Sequence, residues 1–225
     1  MVPRYRTLNA AIIIFMLGEF KLVANMPLSF QEVLARTKYV ALDFELTGLD
    51  KDNDRIIDIG FVFLDENFQV LATYETLLDP ERDTGPVHIH HITNEMVAGK
   101  PKFADVAEEV AEMIDGKILV GFNNGLDFSC LDREFKASNY AFRARTSLDL
   151  SPIRSDPRFY ETPKYEKVLL AVMESQSVQH RALPDAMEAA LLLPAIVEFA
   201  VEHPTRVPKA YQPSLVERLP IAVGE

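Results

Sequence analysis

Apolar and polar positions along the chain follow two periods. Tyr39–Phe44 (YVALDF), Arg55–Asp65 (RIIDIGFVFLD) and Phe68–Leu78 (FQVLATYETLL) are short apolar runs rich in β-branched and aromatic residues, which predicts three strands. The polar Asp65-Glu66-Asn67 joins the second and third as a hairpin. Over 101–116, Phe103, Val106, Val110, Met113 and Ile114 recur at helical spacing, with Glu108, Glu109 and Glu112 on the opposite, solvated face. Lys117–Phe122 predicts a fourth strand, 124–138 a helix, and Arg143–Leu150 a fifth strand. Pro152, Pro157 and Pro163 mark a loop, and helices are expected over Tyr165–Glu174 and Ala182–Glu202, the latter kinked near Ala190 by Pro194. A hairpin followed by strand–helix alternation indicates an α/β fold with a mixed five-stranded sheet flanked by helices.

Composition narrows this picture. The chain has 225 residues, enough for one sizeable domain, expected over 38–202. Residues 1–37 read as an N-terminal extension and 203–225 as a proline-rich tail. The apolar run Ala10–Leu17 is too short to span a bilayer and has no small-x-small cleavage site after it, and Met26 is an alternative start. No membrane association is expected. One cysteine, Cys130, excludes an internal disulfide framework and fits a reducing compartment, the cytoplasm. Lys and Arg total 23 against 34 acids, a net charge of -11, which argues against gripping a long duplex by phosphate neutralisation.

Three segments carry acids where a core would reject them. Asp43 and Glu45 lie two apart at the end of an apolar strand, so both face one side, where they repel and lose hydration. Asp127 follows the fourth strand in the opening turns of a helix. In HRALPDAMEAALLL, Pro184 belongs in a first helical turn, which places His180 on the preceding loop and Asp185 on the helix. Two divalent cations, Mg²⁺ or Mn²⁺, reconcile four such acids: ions about 4 Å apart clamp both oxygens of an in-line phosphoryl displacement. His180 suits the role of base toward an attacking water.

These segments resemble the motifs of the DEDDh 3′→5′ exonucleases of the ribonuclease H-like fold, near the group containing the proofreading epsilon subunit of bacterial DNA polymerase III. DFELTG stands for D-x-E-x-T-G, FNNGLD for H-N-x-x-F-D and HRALPD for H-x-A-x-x-D, in order, and the likeness extends over about Tyr39 to Phe199. The resemblance implies a three-layer ribonuclease H-like fold and hydrolysis of single-stranded 3′ ends to 5′-monophosphates. It implies that Asp43 bridges both metals, that Glu45 and Asp185 complete one, that Asp127 supports the other through water, and that His180 is the general base. Thr47, Gly48 and Leu49 would lie against the 3′-terminal nucleotide, and His90 and Asn123 would be substrate contacts. The expected substrate is DNA, with a polymerase or repair protein as partner; RNA trimming, and a non-catalytic binding module, are the alternatives.

The sequence departs from the family at Phe122 (commonly His), Leu126 (Phe), His91 (Gly) and Asp58 (Glu). His88, His90 and His91 invite a zinc reading, but they sit in one run before a helix start at Thr93, without the separate elements that tetrahedral ligation needs. QPSLV, in the tail, loosely resembles a sliding-clamp peptide without its final aromatic pair.

Overall fold

The computed structural model describes residues 5–7, 28–140, 146–160 and 180–202. The apolar run Ala10–Leu17, the start of the fifth expected strand, the helix over Tyr165–Glu174 and the proline-rich tail with QPSLV fall outside these residues.

Among the described residues, six strands form one sheet: β1 (Tyr5–Thr7), β2 (Tyr39–Leu46), β3 (Ile56–Leu64), β4 (Val70–Leu77), β5 (Ile118–Gly121) and β6 (Thr146–Asp149), in the order β1-β4-β3-β2-β5-β6. The five expected strands are present, and β1 adds a short antiparallel edge to β4. β2, β3 and β4 are antiparallel, whereas β5 and β6 continue parallel to β2, so the sheet is mixed as expected. The β3–β4 turn closes through Asp65 Oδ1, which accepts the N–H groups of Asn67 and Gln69.

The helices among the described residues are α1 (Phe30–Arg36), α2 (Val87–His90), α3 (Asn94–Val97), α4 (Phe103–Ile114), α5 (Gly125–Ala137), α6 (Ser151–Arg154), α7 (Pro157–Tyr160) and α8 (Ala182–Glu202). One correction follows. The proline-marked loop contains the short helices α6 and α7, because proline is compatible with a first helical turn. The histidine run lies ahead of the helix start at Thr93, as expected, and itself forms the turn α2. α1 lies inside the stretch expected as an extension, opens with a Ser29–Glu32 capping box, and buries Val33 and Leu34.

Strand alternation sorts β2 into two faces. Val40, Leu42 and Phe44 join a core with α1, α4 and α5, while Ala41 faces a second core with Val62, Leu150, Phe159 and α8. The result is three layers. α8 runs through the exposed Pro194 without interruption and presents Leu193 and the small Ala186, Ala189 and Ala190 to the sheet, the alanines allowing close approach. Gly60 on β3 lies close under the start of α8: a Cβ there would meet the Ala182 carbonyl carbon at 2.2 Å and the Leu183 nitrogen at 2.3 Å. Gly60→Ala is therefore expected to destabilise the chain by about 1–3 kcal/mol or more, as a lowered urea midpoint. An unchanged midpoint would mean that α8 does not lie against β3 as described.

Candidate active site

Asp43 and Glu45 share the face of β2 that carries Ala41, under the start of α8. Asp185 sits in the first turn of α8, as Pro184 requires. One carboxylate oxygen each from Asp43, Glu45 and Asp185 lie within 4.8 Å of one another, the spacing of ligands to a common cation. Asp127, in the first turn of α5, is buried and stands outside that trio. Its charge is nevertheless the largest on Asp43 after the effect of burial.

The electrostatics follow from this crowding. Burial pushes the Asp43 carboxyl well up, and Asp127, Asp185, Glu45 and Asp58 push it further. Glu45 is raised to about 8, first by burial and then by Asp185, Asp58 and Asp127, with Arg181 opposing. Burial raises Asp127 to about 7. Asp185 rises to about 6 through burial and Glu188, held down by His180 and Arg154. Four acids with elevated proton affinity stand together with little positive charge among them, and their donor atoms are all hard oxygens. That donor set fits Mg²⁺ or Mn²⁺.

His180 is exposed, just ahead of α8, and takes a φ of 61° in the left-handed region. Its charge reaches Asp185. Phe122 lies beneath the Arg154 guanidinium, 4.6 Å from the ring centroid, and Arg154 Nη2 in turn pairs with Glu188 at 2.8 Å. Asn123, at φ 49°, donates its N–H to Asp149 Oδ1 (2.9 Å) and Ser151 Oγ (2.6 Å), tying the β5–α5 loop to the end of β6 and leaving its side chain exposed.

A family model described as exonuclease, RNase_T, matches residues 40–193. The chain belongs to this exonuclease family. It is similar to DNA polymerase III subunit epsilon of Treponema pallidum (strain Nichols), 37% identical over 98 residues, which are 43% of this chain and 45% of that protein. It is also similar to the 3′-5′ exonuclease DinG of Staphylococcus saprophyticus, 30% identical over 118 residues, 52% of this chain and 13% of that one. The chain thus spans less than half the length of these curated relatives. Among solved structures, E. coli exonuclease I in complex with a dA16 oligonucleotide matches 75% of this chain and 44% of its own at TM-score 0.58 and 16% identity. Exonuclease X in complex with 5′ overhanging duplex DNA matches 76% and 98% at TM-score 0.53 and 23% identity. At such identities the likeness concerns the fold, which is ribonuclease H-like α/β.

Within this exonuclease fold, the expected substrate contacts divide. Leu49 projects from the loop after β2 and is 88% exposed. Thr47 does not present its side chain: it is buried, its hydroxyl donates to Asp54 Oδ1 (2.7 Å), and it accepts the Arg55 N–H (3.0 Å). Gly48 has no room for a side chain, since a Cβ would stand 2.5 Å from Asp54 Oδ2. Thr47 and Gly48 therefore shape the loop that presents Leu49. His90 is placed differently. It is 1% exposed, and both ring nitrogens are engaged internally, Nε2 with the Thr84 carbonyl (3.0 Å) and Nδ1 with the Ile92 N–H (3.0 Å). As placed, it pins its own loop and offers no nitrogen to a substrate. His91 caps α2 at φ 60°, in the left-handed region that glycine adopts most readily.

Asp54 and Arg181 are ordering residues that periodicity and motif spacing did not bring forward, and Asp58 stood out only as a departure from the family pattern. The available signal was an acid at position 58 within an otherwise apolar strand, which requires a partner.

Proposed function

We propose that this chain is a metal-dependent 3′→5′ exonuclease that hydrolyses single-stranded DNA ends to 5′-monophosphates. The observation that carries the reading is the meeting of the Asp43, Glu45 and Asp185 oxygens, with Asp127 beside them, all with raised proton affinity. Asp43, Glu45, Asp185 and Asp127 would hold two divalent cations, which would supply the charge that neutralises these acids and the Lewis acidity for phosphoryl displacement. His180, exposed and adjacent to Asp185, accepts the proton of the attacking water. Leu49 offers an apolar surface against the terminal base. DNA as substrate is supported by a relative that is a DNA polymerase III subunit and by the oligonucleotide complexes of the structural neighbours. The same relative supports a polymerase as partner.

The test is digestion of 5′-labelled single-stranded DNA and RNA, with Mg²⁺ or Mn²⁺ and with excess EDTA. A ladder shortening from the 3′ end of DNA, abolished by EDTA, is the expected result. Preference for RNA would move the chain to RNA trimming, and full activity in EDTA would overturn the metal reading. His180→Ala is expected to lower kcat by about 10²–10⁴-fold while calorimetric metal affinity stays unchanged. Lost metal binding with unchanged turnover would reassign His180 as a ligand.

A further inference from the structure

Asp58 is the one charged residue of β3, and it is 0% exposed. Its Oδ2 accepts from Arg181 Nε at 2.8 Å and from the Ala182 N–H at 3.4 Å, while its Oδ1 has no hydrogen-bond partner among the described residues. Arg181 also donates through Nη2 to Glu75 Oε1 on β4 at 3.0 Å. Two residues along β3, the backbone of Ala182 and Leu183 rests on Gly60. The β2–β3 ladder pairs Glu45 with Asp58 and Asp43 with Gly60. The two β3 residues that receive the start of α8 are thus the cross-strand neighbours of the two β2 acids. His180 precedes Arg181 at φ 61°, in the left-handed region that is uncommon for a non-glycine residue.

We propose that the Asp58–Arg181 ion pair is a positioning device that seats the entry of α8 on β3, setting His180 and Asp185 in working register with Asp43 and Glu45. This rests on the exonuclease reading above. A buried ion pair adds little net stability, because desolvation of both charges offsets their attraction. Its effect here is geometric. The fork of Arg181 spans β3 and β4, so the residue next to His180 is held to two strands of the sheet. Asp58 and Arg181 lie outside the trio of mutually close acids and act through its members.

The test compares the full chain with Arg181→Gln, Arg181→Lys, Asp58→Asn and the Arg181→Gln/Asp58→Asn double variant. The readouts are kcat and KM on a single-stranded oligonucleotide, melting temperature, and amide hydrogen exchange at Ala182, Leu183 and Asp185. Arg181→Gln and Asp58→Asn are each expected to lower kcat by about 10–100-fold with KM within about twofold. The double variant should be no worse than the worse single one, since both remove one interaction. Arg181→Lys should recover part of the rate, and exchange in the first turn of α8 should rise. Each single neutral variant strands a buried or half-buried charged partner and should lower the melting temperature, whereas the double variant, which removes both charges, should hold it while keeping the rate loss. Unchanged kcat, additive losses, or a rate loss that only follows a collapsed melting temperature would overturn the proposal. If the parent chain shows no nuclease activity with either metal, the exonuclease reading fails, and exchange alone decides: unchanged protection in Arg181→Gln then removes the positioning role.

Discussion

Asp43→Asn is expected to cut hydrolysis of a labelled single-stranded 3′ end by about 10³-fold or more and, in EDTA, to raise the melting temperature. Asp43 lies where the charges of Asp127, Asp185 and Glu45 converge, so it is both the residue most able to share a cation and the one most destabilised without it. Losing several kcal/mol of transition-state stabilisation, at 1.36 kcal/mol per tenfold, sets the size of the rate loss. The isosteric amide removes the repulsion and keeps the shape, hence the opposite sign for stability. Asp185→Asn should behave alike with a smaller gain in melting temperature, because burial there acts beside fewer like charges. Activity within tenfold of the parent, at saturating metal, would remove Asp43 from the active centre.

The second large effect is a stability that falls as pH rises in the absence of divalent ions. Glu45, Asp127, Asp185 and Asp58 all bind protons more tightly in the folded chain than their ordinary values, reaching about 8, 7, 6 and 6. Between these values and about 4, where unfolded carboxyls ionise, the native state holds more protons than the unfolded one. Stability is then fully present below the window and is lost through it, from about pH 4 to about pH 8. Asp156, held at about 2 by Arg158, acts only below that window. Urea midpoints in EDTA should decline across the range, and saturating Mg²⁺ or Mn²⁺ should flatten the upper part by replacing protons with cations. A midpoint rising with pH in EDTA would contradict the burial described for these acids.

Both expectations draw on features that differ in how openly the sequence carried them. The strand alternation that puts Asp43 and Glu45 on one face is local, and so is the proline that starts α8 ahead of Asp185. Apolar runs sufficed for the main strands, β3 being buried along its whole length, and helical spacing sufficed for α4, whose buried face repeats within a few residues. The proline-marked stretch misled, since proline permits both a loop and a first helical turn, and only packing chooses between them. Likewise β1 is three residues long, too short for any periodic signal.

What this sequence determined by itself is the chemistry available and its order along the chain: acids on β2, α5 and α8, a histidine ahead of the last, and a glycine turn before Leu49. The tertiary structure alone decided how those groups are used. It turned the Thr47 hydroxyl and both His90 nitrogens inward, where unpaired polar atoms would be costly, and left Leu49 outside. It also joined Arg181 to Asp58 across 123 positions of chain, a partnership set by which strand α8 crosses and where a missing Cβ lets it rest. Short-range patterns follow from backbone geometry, which each residue carries with it. Hydrogen-bond partners and burial depend on contacts between distant segments, which exist only once the sheet and α8 have met.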